Sequence, residues 1–233
     1  LPDANYTREI PNLRQYGNVR LLGYVATTWA NRNISLVRQD IQTYAAWPSH
    51  SSNSSLAVNG IFFDETPQQF DANALAFYKE LTTLVKQSKG LGPENFVRFC
   101  SPCYQQVQYR TLPLPYCILH AHISMQVIHN PGAVPDPRYL ATADSTVVFE
   151  DTYETFLQRN DANVFVQVAN GNRSQLCTII HSVPDDIQNS QLHGLVKSAR
   201  SVADEVFVTH LNTSYYAGFG QGWNDFVDLM AAV

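Results

Sequence analysis

Gly60-Ile61-Phe62-Phe63-Asp64-Glu65 is a short apolar run that ends abruptly in two adjacent carboxylates. Asn59-Gly60 opens it and Thr66-Pro67 closes it, so turn chemistry bounds it on both sides. A run this short, with no polar alternation, reads as a strand covered on both faces, as in a parallel sheet. In barrels and open α/β sheets, ligands bind beyond the carboxyl ends of the strands, which makes Asp64 and Glu65 site candidates and not fold residues. A second strand, Ser145 to Phe149, ends the same way in Glu150. Two strands that deliver carboxylates to one rim supply the pair that glycoside hydrolysis needs.

Outward from this run the chain alternates strands with helices. Val19 to Val25 reads as a strand, followed by a polar loop carrying Trp29 and a helix from Ile34 to Trp47. A long amphipathic helix over residues 71 to 87 carries the stripe Ala74, Leu75, Phe77, Tyr78, Leu81, Leu84 and Val85, with Gly90 expected as its C′ residue. Val127 to His129, Cys177 to His181 and Val206 to Thr209 read as further strands. Tyr153 onward, Ile187 to Val202 and Trp223 to Met230 read as helices. This alternation predicts an α/β fold of the (β/α)8 barrel type built from six strands, in one domain over residues 1–233.

A net charge of −5 without basic blocks excludes a nucleic-acid surface, where clustered Lys and Arg are needed. No apolar run approaches the ~18 residues of a membrane span. The chain begins at Leu1 with no basic-then-apolar leader, so a signal peptide is expected to have been removed or never included. Five Asn-x-Ser/Thr sequons, at Asn5, Asn33, Asn53, Asn172 and Asn212, all fall where loops are expected and point to a secreted or cell-surface glycoprotein.

Four motifs, in this order, carry a resemblance: Leu22-Gly23-Tyr24-Val25-Ala26-Thr27, Gly60-Ile61-Phe62-Phe63-Asp64-Glu65, His129-Asn130-Pro131-Gly132 and Val147-Val148-Phe149-Glu150. Together the chain resembles the spherulation-specific family 4 proteins, which are also glycoside hydrolase family 135. The resemblance implies a secreted or surface-tethered (β/α)8 barrel that cleaves α-1,4-linked N-acetylgalactosamine in galactosaminogalactan, a cell-wall and biofilm polysaccharide, with no cofactor and no catalytic metal. It also implies two earlier barrel strands that have no counterpart before Leu1, so an incomplete barrel is expected.

Carried over by motif, the acidic site falls on Asp64, Glu65 and Glu150. Asp64 is read as nucleophile or base, Glu150 as general acid/base, and Glu65 as orienting a neighbour or a sugar hydroxyl. The competing reading has these acids capping helices or pairing with Arg32 and Arg138. Tyr24, Trp29, Arg32, Asn130 and His181, at or just past strand ends, are the candidate sugar-binding residues; Trp29 reads equally as a core or interface residue. The rival function is a non-catalytic cell-surface barrel that binds glycans.

Two patterns are read as decoys. His129, His181 and His210 end strands and invite a metal site, but strand-end histidines more often bond locally. Gly218-Phe219-Gly220-Gln221-Gly222 has the wrong spacing for a dinucleotide fingerprint and reads as a loop. Residues 97–126 are anomalous. They hold Cys100, Cys103, Cys117, His120 and His122 yet contain no Asp, Glu, Gly, Asn or Lys, and they interrupt the strand that leads to Asn130. We read them as a translated, unspliced intron; a zinc- or disulfide-bearing insert and an ordinary loop are the alternatives.

Overall fold

The computed structural model describes residues 2–92, 125–169 and 171–232. Six strands, β1 (Leu22–Ala26), β2 (Gly60–Asp64), β3 (Gln126–Asn130), β4 (Ser145–Thr152), β5 (Leu176–His181) and β6 (Glu205–Val208), form one parallel sheet in sequence order with β1 and β6 at its edges. The helices are α1 (Ala4–Leu13), α2 (Ile34–His50), α3 (Ala72–Gln87), α4 (Pro137–Leu140), α5 (Tyr153–Asp161), α6 (Val166–Ala169), α7 (Asn189–Val202) and α8 (Trp223–Ala232). Parallel neighbours need a crossover, and helices supply it between successive strands wherever the linking residues are described.

Helix starts follow local chemistry. Asn33 caps α2 by accepting from Ser35 N at 2.8 Å, and Asp71 caps α3 by accepting from Ala74 N at 2.8 Å. The end of α3 departs from expectation. It stops at Gln87 with Ser88 extended, and Gly90 is not its C′ residue but lies against Ala45, where a Cβ would come within 1.7 Å of the carbonyl oxygen.

Alternation along the strands sorts the side chains onto two faces. Val25, Ile61, Phe63 and Val127 turn outward and share a buried cluster with Val37 and Ile41 of α2 and Tyr78 and Leu81 of α3. Val148, Phe149, Ile180 and Val208 do the same with Phe156, Leu192, Val196 and Phe226. Full burial of side chains such as Ile61 and Phe63 contributes about 1.5–3 kcal/mol each. The inner face carries Tyr24, Phe62, Ile128, Ile179 and Phe207, with the Tyr24 and Phe62 rings stacked at 6.4 Å.

β4 breaks this rule. Its register against β5 shifts between Val147 and Phe149, and Val148 and Phe149 both turn toward the helices. β4 also continues to Thr152, so Glu150 lies within the strand and not beyond its end. The stretch set apart as an insert falls outside the described residues except for Met125 and Gln126, and Gln126 opens β3 opposite Gly60.

Candidate active site

Ala26, Asp64 and Asn130 are register partners at the ends of β1, β2 and β3, which places the last two side by side on the inner face. Asn130 Nδ2 donates to Asp64 Oδ1 at 2.9 Å and to Glu150 Oε2 at 2.5 Å. Because one nitrogen serves both, the two carboxylate oxygens lie within the sum of those distances of each other. The amide is oriented by its other end: Asn130 Oδ1 accepts from Gly132 N at 3.0 Å, and Gly132 O accepts from Glu150 N at 3.0 Å. Gly132 makes this turn at φ +66°, which a glycine adopts without steric cost.

Three tyrosines complete the hydrogen bonding of the acids. Tyr24 Oη donates to Asp64 Oδ2 at 2.7 Å, and Tyr215 and Tyr216 donate to Glu150 Oε1 at 2.7 and 2.6 Å. Burial, then the bond to Asp64, pushes the Tyr24 phenol up to about 12. Burial, then Glu150, pushes Tyr215 up to about 12 and raises Tyr216 as well. All three therefore stay protonated donors at neutral pH.

The bulge in β4 is what brings Glu150 here. With unbroken alternation from Ser145, an inner-face residue whose hydroxyl meets Glu205 at 2.7 Å, position 150 would face the helices. One extra residue at Val148 re-aims the carboxylate inward.

Glu65 does not stand with this pair. It sits past β2 at φ 55°, its carboxylate accepts from Thr28 N at 3.2 Å, and its carbonyl accepts from Trp29 N at 2.7 Å. Thr28, Trp29 and Ala30 are themselves left-handed, at φ 51°, 52° and 66°. Such positions cost about 1–3 kcal/mol each and persist only where the surroundings hold them. Here the buried Thr27 hydroxyl holds them, bonded to the Asp64 carbonyl at 2.7 Å, the Glu65 carbonyl at 3.1 Å and Tyr78 Oη at 2.6 Å. The turn presents Trp29, 56% exposed, on the rim, so it is not a core residue.

The other expected residues divide. Arg32 is tied to Ala26 O at 2.9 Å and Asp40 at 2.7 Å, and Arg138 pairs with Asp136 at 2.7 Å, so neither meets the acids. His181 stacks on Tyr215 at 4.3 Å and reaches Glu150 only through that ring. His129 faces the helices against Phe63 and Tyr78, and His210 lies beside Pro184 O. Among the described residues no His, Cys, Asp or Glu group able to hold a metal ion occurs. Sequence reasoning missed Tyr215 and Tyr216. Their one visible sign was a pair of aromatic residues in a polar loop just past a strand.

The sequence profile of spherulation-specific family 4, Spherulin4, matches residues 1–230. The chain belongs to that family. Within spherulation-specific family 4, Spherulin-4 of Physarum polycephalum is 27% identical over 151 residues, which are 64% of this chain. The match spans 32% of that relative's length. The crystal structure of Aspergillus clavatus Sph3 in complex with GalNAc matches at 57% identity and a TM-score of 0.83, over 99% of this chain and 79% of that one. The expected α/β, barrel-like parallel fold of the spherulation-specific family 4 proteins is therefore the one this chain adopts.

Proposed function

We propose that this chain is a glycoside hydrolase that cleaves within α-1,4-linked N-acetylgalactosamine polysaccharide and retains configuration at the anomeric carbon. The observation that carries this reading is the single Asn130 nitrogen bonded to both Asp64 and Glu150. It holds the nearest oxygens of the two carboxylates within the sum of those two bonds of each other, which supports the close-set pair of retaining enzymes over the wider pair that leaves room for an inverting water. The GalNAc bound by the relative Sph3 supports an N-acetylhexosamine as the sugar.

In this reading Asp64 attacks the anomeric carbon while Glu150 gives its proton to the departing glycosidic oxygen. Water then attacks the glycosyl-Asp64 ester as Glu150 takes up a proton, which releases Asp64 as carboxylate. Glu150 suits the proton-cycling role because Tyr215 and Tyr216 meet it with hydroxyls, which donate to a carboxylate and accept from an acid. Tyr24 and Trp29 offer ring faces to the sugar.

The test is incubation with α-1,4-linked N-acetylgalactosamine oligomers, with products read by mass spectrometry and their anomeric form by NMR. Cleavage to α-anomers that disappears in Asp64→Asn and in Glu150→Gln is expected. Cleavage that survives both changes would sink the reading, and binding without cleavage by the parent chain would favour a glycan-binding barrel.

We also read the protein as secreted or displayed at the cell surface. Asn5, Asn33, Asn172 and Asn212 are exposed and Asn53 is half-buried. Asn33, Asn53 and Asn172 accept backbone N–H groups through Oδ1, which leaves Nδ2, the atom that carries a glycan, out of those bonds. A mobility shift on N-glycosidase treatment of protein from its native host is the expected result, and an unshifted band counts against it.

A further inference from the structure

The loop between β6 and α8 contains Gly218-Phe219-Gly220-Gln221-Gly222, a motif the acid pair does not use. Its glycines have a packing reason. A Cβ on Gly222 would come within 2.1 Å of His210 Nε2, and one on Gly220 within 2.8 Å of Thr209 Oγ1, so a larger residue at either position would have to displace those side chains for the loop to stay down on the end of β6. Leu211 O accepts from Ser182 N at 3.0 Å and pins the other arm of the loop to the end of β5. The loop is thus seated on the strand ends, and at its tip stands Phe219 with 76% of its surface exposed.

Phe219 is the outer end of a continuous run of rings that begins at Glu150. Tyr216, bonded to Glu150 and itself 62% exposed, stacks on Phe207 at 6.2 Å and 25°. Phe207 meets Trp223 at 6.0 Å, and Trp223 meets Phe219 at 4.6 Å and 37°. A large exposed ring continuous with a ligand site marks a surface that covers an apolar face. The apolar C–H face of a pyranose ring fits it, and the ring run leads there directly from the carboxylate.

We propose that Phe219, backed by Trp223, is a remote subsite that stacks a sugar ring of the same polysaccharide, several units from the bond cleaved at Asp64 and Glu150. This rests on the glycosidase reading above and deepens it: the site takes a long chain, gripped at the acids and again at Phe219. Trp29 and Tyr24 belong to the β1 and β2 side of the acids, and Phe219 to the β6 side, so the chain would run across the rim.

The experiment measures dissociation constants by calorimetry for GalNAc and for α-1,4-linked N-acetylgalactosamine oligomers of increasing length. The proteins are the parent chain and its Phe219→Ala and Phe219→Trp variants; the acid variants Asp64→Asn and Glu150→Gln of each prevent turnover during titration. In the parent, affinity is expected to rise with length. Phe219→Ala is expected to weaken the longer oligomers about three- to ten-fold, with the smallest effect on GalNAc, and Phe219→Trp to restore them. The exposed ring holds up no core, so a folding defect is not expected to blur the comparison; circular dichroism checks this. Oligomer affinities equal in parent and Phe219→Ala overturn the subsite while leaving the acid site standing. A Phe219→Ala change that alters self-association but no sugar affinity overturns it too, and assigns the ring to a second copy of this chain. A parent that binds neither GalNAc nor any oligomer overturns both readings.

Discussion

The Trp29 amide donates to the Glu65 carbonyl at 2.7 Å while both residues are held left-handed, at φ 52° and 55°. Two strained turns from neighbouring strands therefore latch each other, and the Glu65 carboxylate adds a bond to Thr28 N. Adjacent acids on the chain have separate surroundings: Asp64 meets Tyr24 and Asn130 on the inner face, and Glu65 fixes the turn that presents Trp29. Glu65→Gln keeps an oxygen for Thr28 N, so its kcat is expected to stay within about ten-fold of the parent, with KM carrying the larger change. Asp64→Asn is expected to lower kcat by about 10³ or more. Equal losses of kcat in the two variants would place Glu65 in the chemistry instead.

Among the described residues, Asn130 is the one neutral group that joins the two acids directly. In Asn130→Ala the carboxylates lose their shared donor, and each is left to its own tyrosines, Tyr24 for Asp64 and Tyr215 and Tyr216 for Glu150, with nothing fixing one acid relative to the other. The expected loss is about 10²–10³ in kcat, similar to removal of a preorganised donor elsewhere. Steady-state kinetics on a soluble oligomer checks it, with circular dichroism to show that the sheet is intact.

Tyr215→Phe and Tyr216→Phe each keep the ring and remove one of two donors to Glu150 Oε1. Either change alone is expected to cost about ten-fold or less in kcat/KM, since the remaining hydroxyl still holds the oxygen. The double variant is expected to lose more than the product of the two. A double-mutant cycle reads this coupling directly.

His129 gives a pH prediction for stability. Burial alone pushes its imidazole down from the ordinary 6.5 to about 3, and its Nε2 has no hydrogen-bond partner. Folded protein keeps the ring neutral where the unfolded chain takes up a proton. The stability this group contributes is complete above pH 6.5 and is lost as pH falls toward 3, at a slope of up to about 1.4 kcal/mol per unit. His129→Phe is expected to flatten the fall in urea midpoint between pH 6 and 4. An unchanged slope would mean that other groups govern acid unfolding.

Much of this architecture was legible in the chain itself. The apolar run at Gly60 to Asp64, bounded by turns, is a strand because a parallel sheet buries both faces of its strands. The stripe through Ala74, Tyr78, Leu81 and Val85 is a helix face because those spacings repeat the helical period. Asp64, Asn130 and Glu150 were legible as candidates because the residues that end such strands line one rim. Each of these inferences uses neighbours close in sequence, where local geometry leaves few choices.

What the tertiary structure alone decided depends on distant pairing. Val148 has nothing in its sequence that marks a bulge, and only the register of β4 against β5 turns Glu150 inward. Glu65, which alternation would set on the opposite face of a continuing strand, instead leaves β2 through a left-handed turn bonded to Thr28 and Trp29. Arg32, just before α2, turns away from the acids to pair with Asp40 within that helix. Tyr215 and Tyr216 reach Glu150 from 65 and 66 residues away. Period and composition are local quantities, whereas the curl of a sheet and the seating of a loop are set by contacts between segments far apart in the chain. The acids were therefore readable in the sequence, while the donors that orient them were decided by the fold.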